Sequence, residues 1–139
     1  MHCTVDNDVW AAVWEKVAFN AALNSICAVV ACSVDMLAAD PAGDALATAI
    51  VREVLAVALA KGARVDVEGC IDTVRQAITK HAGHQPSMLQ DVLAGRRTEI
   101  EGINGAVVAA AKEVNVPVIR TETLLALVRL VEHRVSHNR

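Results

Sequence analysis

The chain has 139 residues, which suits one domain and is too short for two of ordinary size. Apolar residues make up 54%, charged residues 21% and aromatics 2%. That excludes a disordered chain and leaves few rings on which nucleic-acid bases could stack. Thirteen Lys and Arg against sixteen Asp and Glu give a net charge of −3, too mild and too mixed for a nucleic-acid footprint.

Helical periodicity recurs along the chain and strand alternation does not. A first helix is expected from about Asp6–Asp8 through Trp10, Val13, Val17 and Ala21 to about Val30. Asp40-Pro41 reads as an N-cap followed by proline at the first helical position. The helix it opens runs through Leu46, Ile50, Val54 and Val57 and stops at Lys61-Gly62, a basic last turn before a C′ glycine. A third helix covers Val67 to Lys80, followed by a loop from His81 to Pro86. Two capping boxes come next, Ser87-x-x-Gln90 for a short helix ending at Gly95 and Thr98-x-x-Glu101 for one running to about Val114. Pro117 breaks the chain, and a last amphipathic helix spans Thr121 to about His133. The expected fold is all-α, residues 1–139 forming a single helical domain of about six helices.

The mean hydropathy of +0.37 raises the question of a membrane span. The greasiest stretch, Ala21 to Val34, is interrupted by Asn24, Ser25 and Ser33 and followed by Asp35. It falls short of the roughly 20 apolar residues a span needs. The opening MHCTVDND is acidic, unlike a signal peptide. Cysteines at 3, 27, 32 and 70 form no C-x-x-C pair and read as buried thiols in a cytoplasmic protein.

Two segments break their own pattern. Lys16, Asn20 and Asn24 follow one another at four-residue spacing, so they line a stripe on a helix that is otherwise apolar nearly all round between Val17 and Ala31. Buried polar groups need partners or a ligand, since each unpaired one costs about 1–3 kcal/mol. Such a stripe suits a lysine proton donor beside two amides. It equally suits a snorkelling lysine and asparagines that bond neighbouring helices, the commoner outcome for such patterns. The second segment runs from Ser87 through Asp91, Gly95 and Glu99 to Gly105. A serine at a helix N-terminus is a fair carboxylate receptor, although capping alone also accounts for Ser87 and Thr98.

Together the segments, W-x-K-x-x-x-N-x-x-x-N and S-M-x-Q-D-x-x-x-G-R-x-T-E-I-x-x-I-N-G, resemble the C-terminal domain of the ketopantoate reductase (2-dehydropantoate 2-reductase) family. That domain has the 6-phosphogluconate-dehydrogenase C-terminal-like helical fold. The resemblance extends over nearly the whole chain, including Glu53, Ala60-Lys-Gly62 and Leu124-x-x-Leu-Val. It implies that Lys16 is the catalytic lysine that protonates the substrate carbonyl. It implies that Asn20, Asn24 and Ser87 bind the substrate, that Glu99 lies near the cofactor, and that Asp91 supports the site. The implied activity is NADPH-dependent reduction of a 2-keto acid to a 2-hydroxy acid in pantothenate biosynthesis; a homodimer is expected separately, from apolar surface of the first helix left exposed without a cofactor domain.

Several positions depart from the family pattern. Pro86 stands where a second serine is common, Val34 where a substrate-contacting asparagine can occur, and Thr121 for a common asparagine. Seven glycines include no G-x-G-x-x-G, the fingerprint of a Rossmann domain. The expectation is therefore that NADP comes with a Rossmann domain supplied in cis or in trans and that the isolated chain is inactive. One alternative is a non-catalytic helical module for dimerisation or assembly, with apolar surface left to self-associate. Another is a metal site built from His81, His84, His133 and His137. The spacing of the last two can chelate zinc, but without a supporting cysteine or carboxylate pattern no metal is expected.

Overall fold

The absence of strand alternation is matched by the structure, a computed structural model that describes residues 2–80 and 83–137, with side chains for 9–80 and 83–136. The described backbone contains no strand. In chain order the elements are α1 (His2–Phe19), a π turn (Asn20–Asn24), α2 (Ser25–Val30), α3 (Val34–Ala39), α4 (Pro41–Ala60) and α5 (Val67–Lys80). Then come α6 (Ser87–Ala94), a 3₁₀ turn (Ile100–Gly102), α7 (Asn104–Val114) and α8 (Ile119–His137).

Helix α4 is the centre of the packing. It buries Ala47, Ile50, Val51, Val54, Leu55, Val57 and Ala58, an apolar face wide enough to meet α1, the π turn, α3, α5, α7 and α8. Its ends follow the expected chemistry. The Asp40 carboxylate accepts from the Ala42 N–H at 2.8 Å, Pro41 takes N1, and Gly62 turns left-handed at φ 92°. On the other side α2 packs between α6 and α8. Helix α5 covers the rim through Cys70, Ile71, Val74 and Ile78.

Four expectations are corrected. The first helix is not one regular α-helix, because five residues of its middle widen into the π turn. Helix α3 was not expected at all: with six residues, of which Val34 and Leu37 are buried, it is too short to display a period. Ser87 is not an N-cap; Pro86 holds that place in extended conformation with φ −60° and ψ 155°, and the Gln90 amide donates instead to the Gln85 carbonyl at 2.8 Å. Thr98 opens only the 3₁₀ turn, its hydroxyl accepting from the Ile100 N–H at 3.2 Å. The long helix starts later, at Asn104.

The start of α8 also depends on a distant residue. Glu53 of α4 accepts from the Thr121 N–H at 2.9 Å and the Thr121 hydroxyl at 2.8 Å. Its second oxygen takes the Arg120 N–H at 3.1 Å. The carboxylate thus serves orphan donors at the positive end of a helix, and its side chain is only 11% exposed. Glu53→Ala is expected to lower the unfolding free energy by about 2–3 kcal/mol, read from the midpoint shift in urea at unchanged slope.

Candidate functional site

The π turn faces the loop that leads into α6, and a cleft of about 310 Å³ lies between them. Asn20 and Asn24 from the π turn and Ser87 from α6 all line it. Within the stripe the Asn24 amide donates to the Asn20 carbonyl oxygen at 3.5 Å, a long contact. Asn24 itself is 8% exposed. Ser87 sits in the first turn of α6 with no capping bond, and Pro86 before it has no N–H. The cleft therefore meets a serine hydroxyl and a helix N-terminus, which together favour an anion.

The widened turn is what lets this helix be both buried and polar. The Ala21 carbonyl accepts from the Ser25 hydroxyl at 2.5 Å and from the Asn104 amide at 3.5 Å. The same amide donates to the Thr121 carbonyl at 3.3 Å, so the NH2 of Asn104 faces two acceptors and its orientation is fixed by chemistry. Its own oxygen is buried and unpaired among the described residues.

The other half of the cleft is held by α3. The Val34 N–H donates to the His84 carbonyl at 3.4 Å, and the Asp35 carboxylate accepts from the Gly83 N–H at 2.5 Å. Val34, Pro86 and the exposed His84 thereby become lining residues. His84 as a cleft residue was not found from the sequence, where it is one histidine in an aperiodic loop.

The remaining candidates are not gathered here. Lys16 lies one turn before Asn20 on α1, is exposed, and is not among the cleft-lining residues; the apolar setting expected for it is absent because its neighbours Val13 and Ala12 are exposed too. Glu99 is exposed in the turn before Ile100. Asp91 faces away into the loop after α6, where it takes the Arg96 Nε–H at 3.1 Å. Of the histidines considered for a metal, His81 and the side chain of His137 lie outside the described residues. Among the described residues no cluster of three His, Cys, Asp or Glu could hold an ion.

Cys27, Cys32 and Cys70 are free and buried. Burial, with Cys32 alongside, pushes the Cys27 thiol up to about 12, and burial pushes Cys70 up to about 11; such thiols are inert packing groups. No helix of the described residues is long and apolar enough to cross a membrane.

The chain matches the family described as "Ketopantoate reductase PanE/ApbA C terminal" over residues 8–132, and it belongs to that family. It is 38% identical over 134 residues to the 2-dehydropantoate 2-reductase of Halobacterium salinarum, covering 95% of this chain and 43% of that protein. Its fold is similar to D-mandelate dehydrogenase solved with NADH and anilino(oxo)acetate, with TM-score 0.84, 27% identity and 89% of this chain against 41% of that one. A 2-dehydropantoate 2-reductase structure from Methylococcus capsulatus gives TM-score 0.81 at 30% identity, over 91% and 43% of the two chains. The chain thus spans less than half the length of the relatives it matches.

The Gly83 N–H, helped by the Ser33 hydroxyl, holds the Asp35 carboxyl below the usual carboxylate range. A group depressed by folding stabilises the fold above its ordinary value and ceases to do so as pH falls through the folded one. Replacing Asp35→Asn is expected to flatten the acid limb of stability against pH below about 4, measured by urea unfolding at stepped pH.

Proposed function

We propose that residues 1–139 form the substrate-binding and proton-donating part of a reductase of the 2-dehydropantoate 2-reductase type, which converts a 2-keto acid into the 2-hydroxy acid. The observation that carries this reading is the meeting of Asn20, Asn24 and Ser87 in one cleft, on elements far apart in sequence. The substrate carboxylate is received at Ser87 and the N-terminus of α6. The two amides hold the keto oxygen and the neighbouring polar atom. The Lys16 ammonium then delivers a proton to that oxygen. Its spacing of four residues before Asn20 supports this role, and its exposure leaves it open to a second surface.

Reduction also needs a hydride, which is the chemistry of a nicotinamide dinucleotide. The residues described here do not fit such a group: they contain no strand from which a Rossmann cradle could be built, and the cleft has the volume of a small acid. We therefore assign NADP to a Rossmann domain, in cis or in trans, with exposed Glu99 turned toward it and Asp91 supporting the site by tying down the loop after α6. Val9, Trp10 and Val13 on α1 are 57%, 58% and 45% exposed, an apolar row suited to covering by another surface. Without such a domain the chain is expected to self-associate as a homodimer, as light scattering over a concentration series would read. Free buried thiols suit a reducing compartment such as the cytoplasm. The alternative of a non-catalytic assembly module has less behind it, since the named relatives are reductases.

The test is to mix the chain with the Rossmann domain of the Halobacterium salinarum relative and follow NADPH oxidation on adding ketopantoate. Lys16→Ala is expected to lower kcat by about 100-fold or more; an undiminished rate would refute its role. Ser87→Ala is expected to raise KM by about tenfold with less effect on kcat.

A further inference from the structure

Away from the cleft, α7 and α8 pack side by side and leave an open groove of about 640 Å³ along their outer face. Buried Val108 and Leu125 form its base, and its sides carry little more than methyl groups, from exposed Ala106 and Ala109 on α7 and exposed Ala126 on α8. Small side chains allow another helix to approach closely. Four charged residues mark the ends. At one end Glu101, in the 3₁₀ turn before α7, takes two bonds of 2.6 Å from the Arg129 guanidinium of α8. At the other end stand Lys112, in the last turn of α7, and Glu122, in the first turn of α8. Neither takes part in an ion pair among the described residues. The two helices therefore run antiparallel, and the sign of charge alternates around the four corners. Beyond Lys112 and Glu122 the groove continues toward Ile119, which is 71% exposed.

An arrangement of this kind is complementary to itself. A two-fold axis lying in the plane of the groove and crossing both helices turns each of them end for end. It lays α7 antiparallel on α7 of a second copy and α8 on α8. Glu101 then meets Lys112 of the second copy, and Arg129 meets Glu122 of the second copy, each contact occurring twice. Ala106 lies near the midpoint between Glu101 and Lys112, and Ala126 near the midpoint between Glu122 and Arg129, so small residues fall at the axis where the backbones come closest. Self-complementarity under a two-fold is what an isologous contact requires, and a partner of another kind would have to match the same alternation by itself. We propose that the α7–α8 groove is the docking surface for a second copy of this chain, in this antiparallel arrangement. The alanine, valine and leucine side chains supply the apolar burial. The exposed charges add little affinity and instead fix orientation and register. This surface is separate from the apolar row on α1 and does not depend on the chemistry assigned to the cleft.

The test is sedimentation equilibrium of the 139-residue chain carrying Trp10→Lys, which disables the α1 row and leaves α7 and α8 untouched. A concentration-dependent dimer is expected, and a monomer at every concentration would overturn the proposal. In this background Glu122→Lys places lysine against Arg129 of the second copy, and Arg129→Glu places glutamate against Glu122. Each variant alone is expected to weaken the dimer by about tenfold or more. Mixed in equal amounts, the two variants present opposite charges at every contact, so a heterodimer is expected at close to the parent affinity. Only α7 on α7 and α8 on α8 gives this rescue; laying α7 on α8 would set like charges together in the mixture. Both positions are exposed, and recovery on mixing excludes damage to the fold as the cause of the loss. Single variants that dimerise as well as the parent, or a mixture that stays dissociated, would overturn the antiparallel docking.

Discussion

A single amide with no access to water ties the fold together. Asn104 is 0% exposed and its NH2 joins the Ala21 carbonyl of the π turn to the Thr121 carbonyl of α8. Truncating Asn104 would remove both bonds, at about 0.5–1.5 kcal/mol each, while the Ala21 carbonyl would keep the Ser25 hydroxyl as donor. The bridge also explains why the segment after Thr98 does not enter α7 directly. The chain must deliver Asn104 to this spot, and Ile103 takes φ −108° and ψ −85° to do so.

Around that bridge, carboxylates from one helix complete the start of another. Glu53 of α4 holds the first turn of α8, and Glu132 of α8 accepts from the Thr98 N–H and hydroxyl at 2.7 and 2.8 Å. Each replaces a local cap by a long-range one, so helix ends and tertiary packing form together. The cleft inherits this rigidity. Its amides stand on a turn anchored through Asn104, its serine on a helix packed against α2, and Leu23, Val34 and Ile78 beside them belong to the core.

What the sequence made legible was whatever depends on neighbours within one or two turns. Asp40-Pro41, Lys61-Gly62 and the bounds of α5 follow from capping and periodicity, and all stand as expected. The capping boxes at Ser87 and Thr98 do not, because the same side chains had competing partners. Pro86 already satisfies the N-cap geometry at one, while at the other Thr98 is claimed by a carboxylate 34 residues away. Asn20, Asn24 and Ser87 line one cleft, and Lys16 is exposed, as the snorkelling alternative for that stripe has it. Four-residue spacing tells which residues share a stripe and cannot tell where burial along that stripe ends. Val34 and His84 enter the cleft through one backbone hydrogen bond between a short helix and an aperiodic loop, a contact that leaves no pattern in composition or period.

The π turn has a geometric corollary. A helix that accommodates an additional residue in one turn is offset by about 100° in azimuth on one side relative to the other. The bearing of Lys16, upstream of the insertion, is therefore decoupled from the bearing of Asn24 and everything downstream. Excising one residue between them would restore a uniform screw and swing the ammonium roughly a quarter of a revolution about the axis, with no side chain chemically altered. The angular phase of the α1 surface against the rest of the molecule is thus stored in the count of residues across Asn20–Asn24.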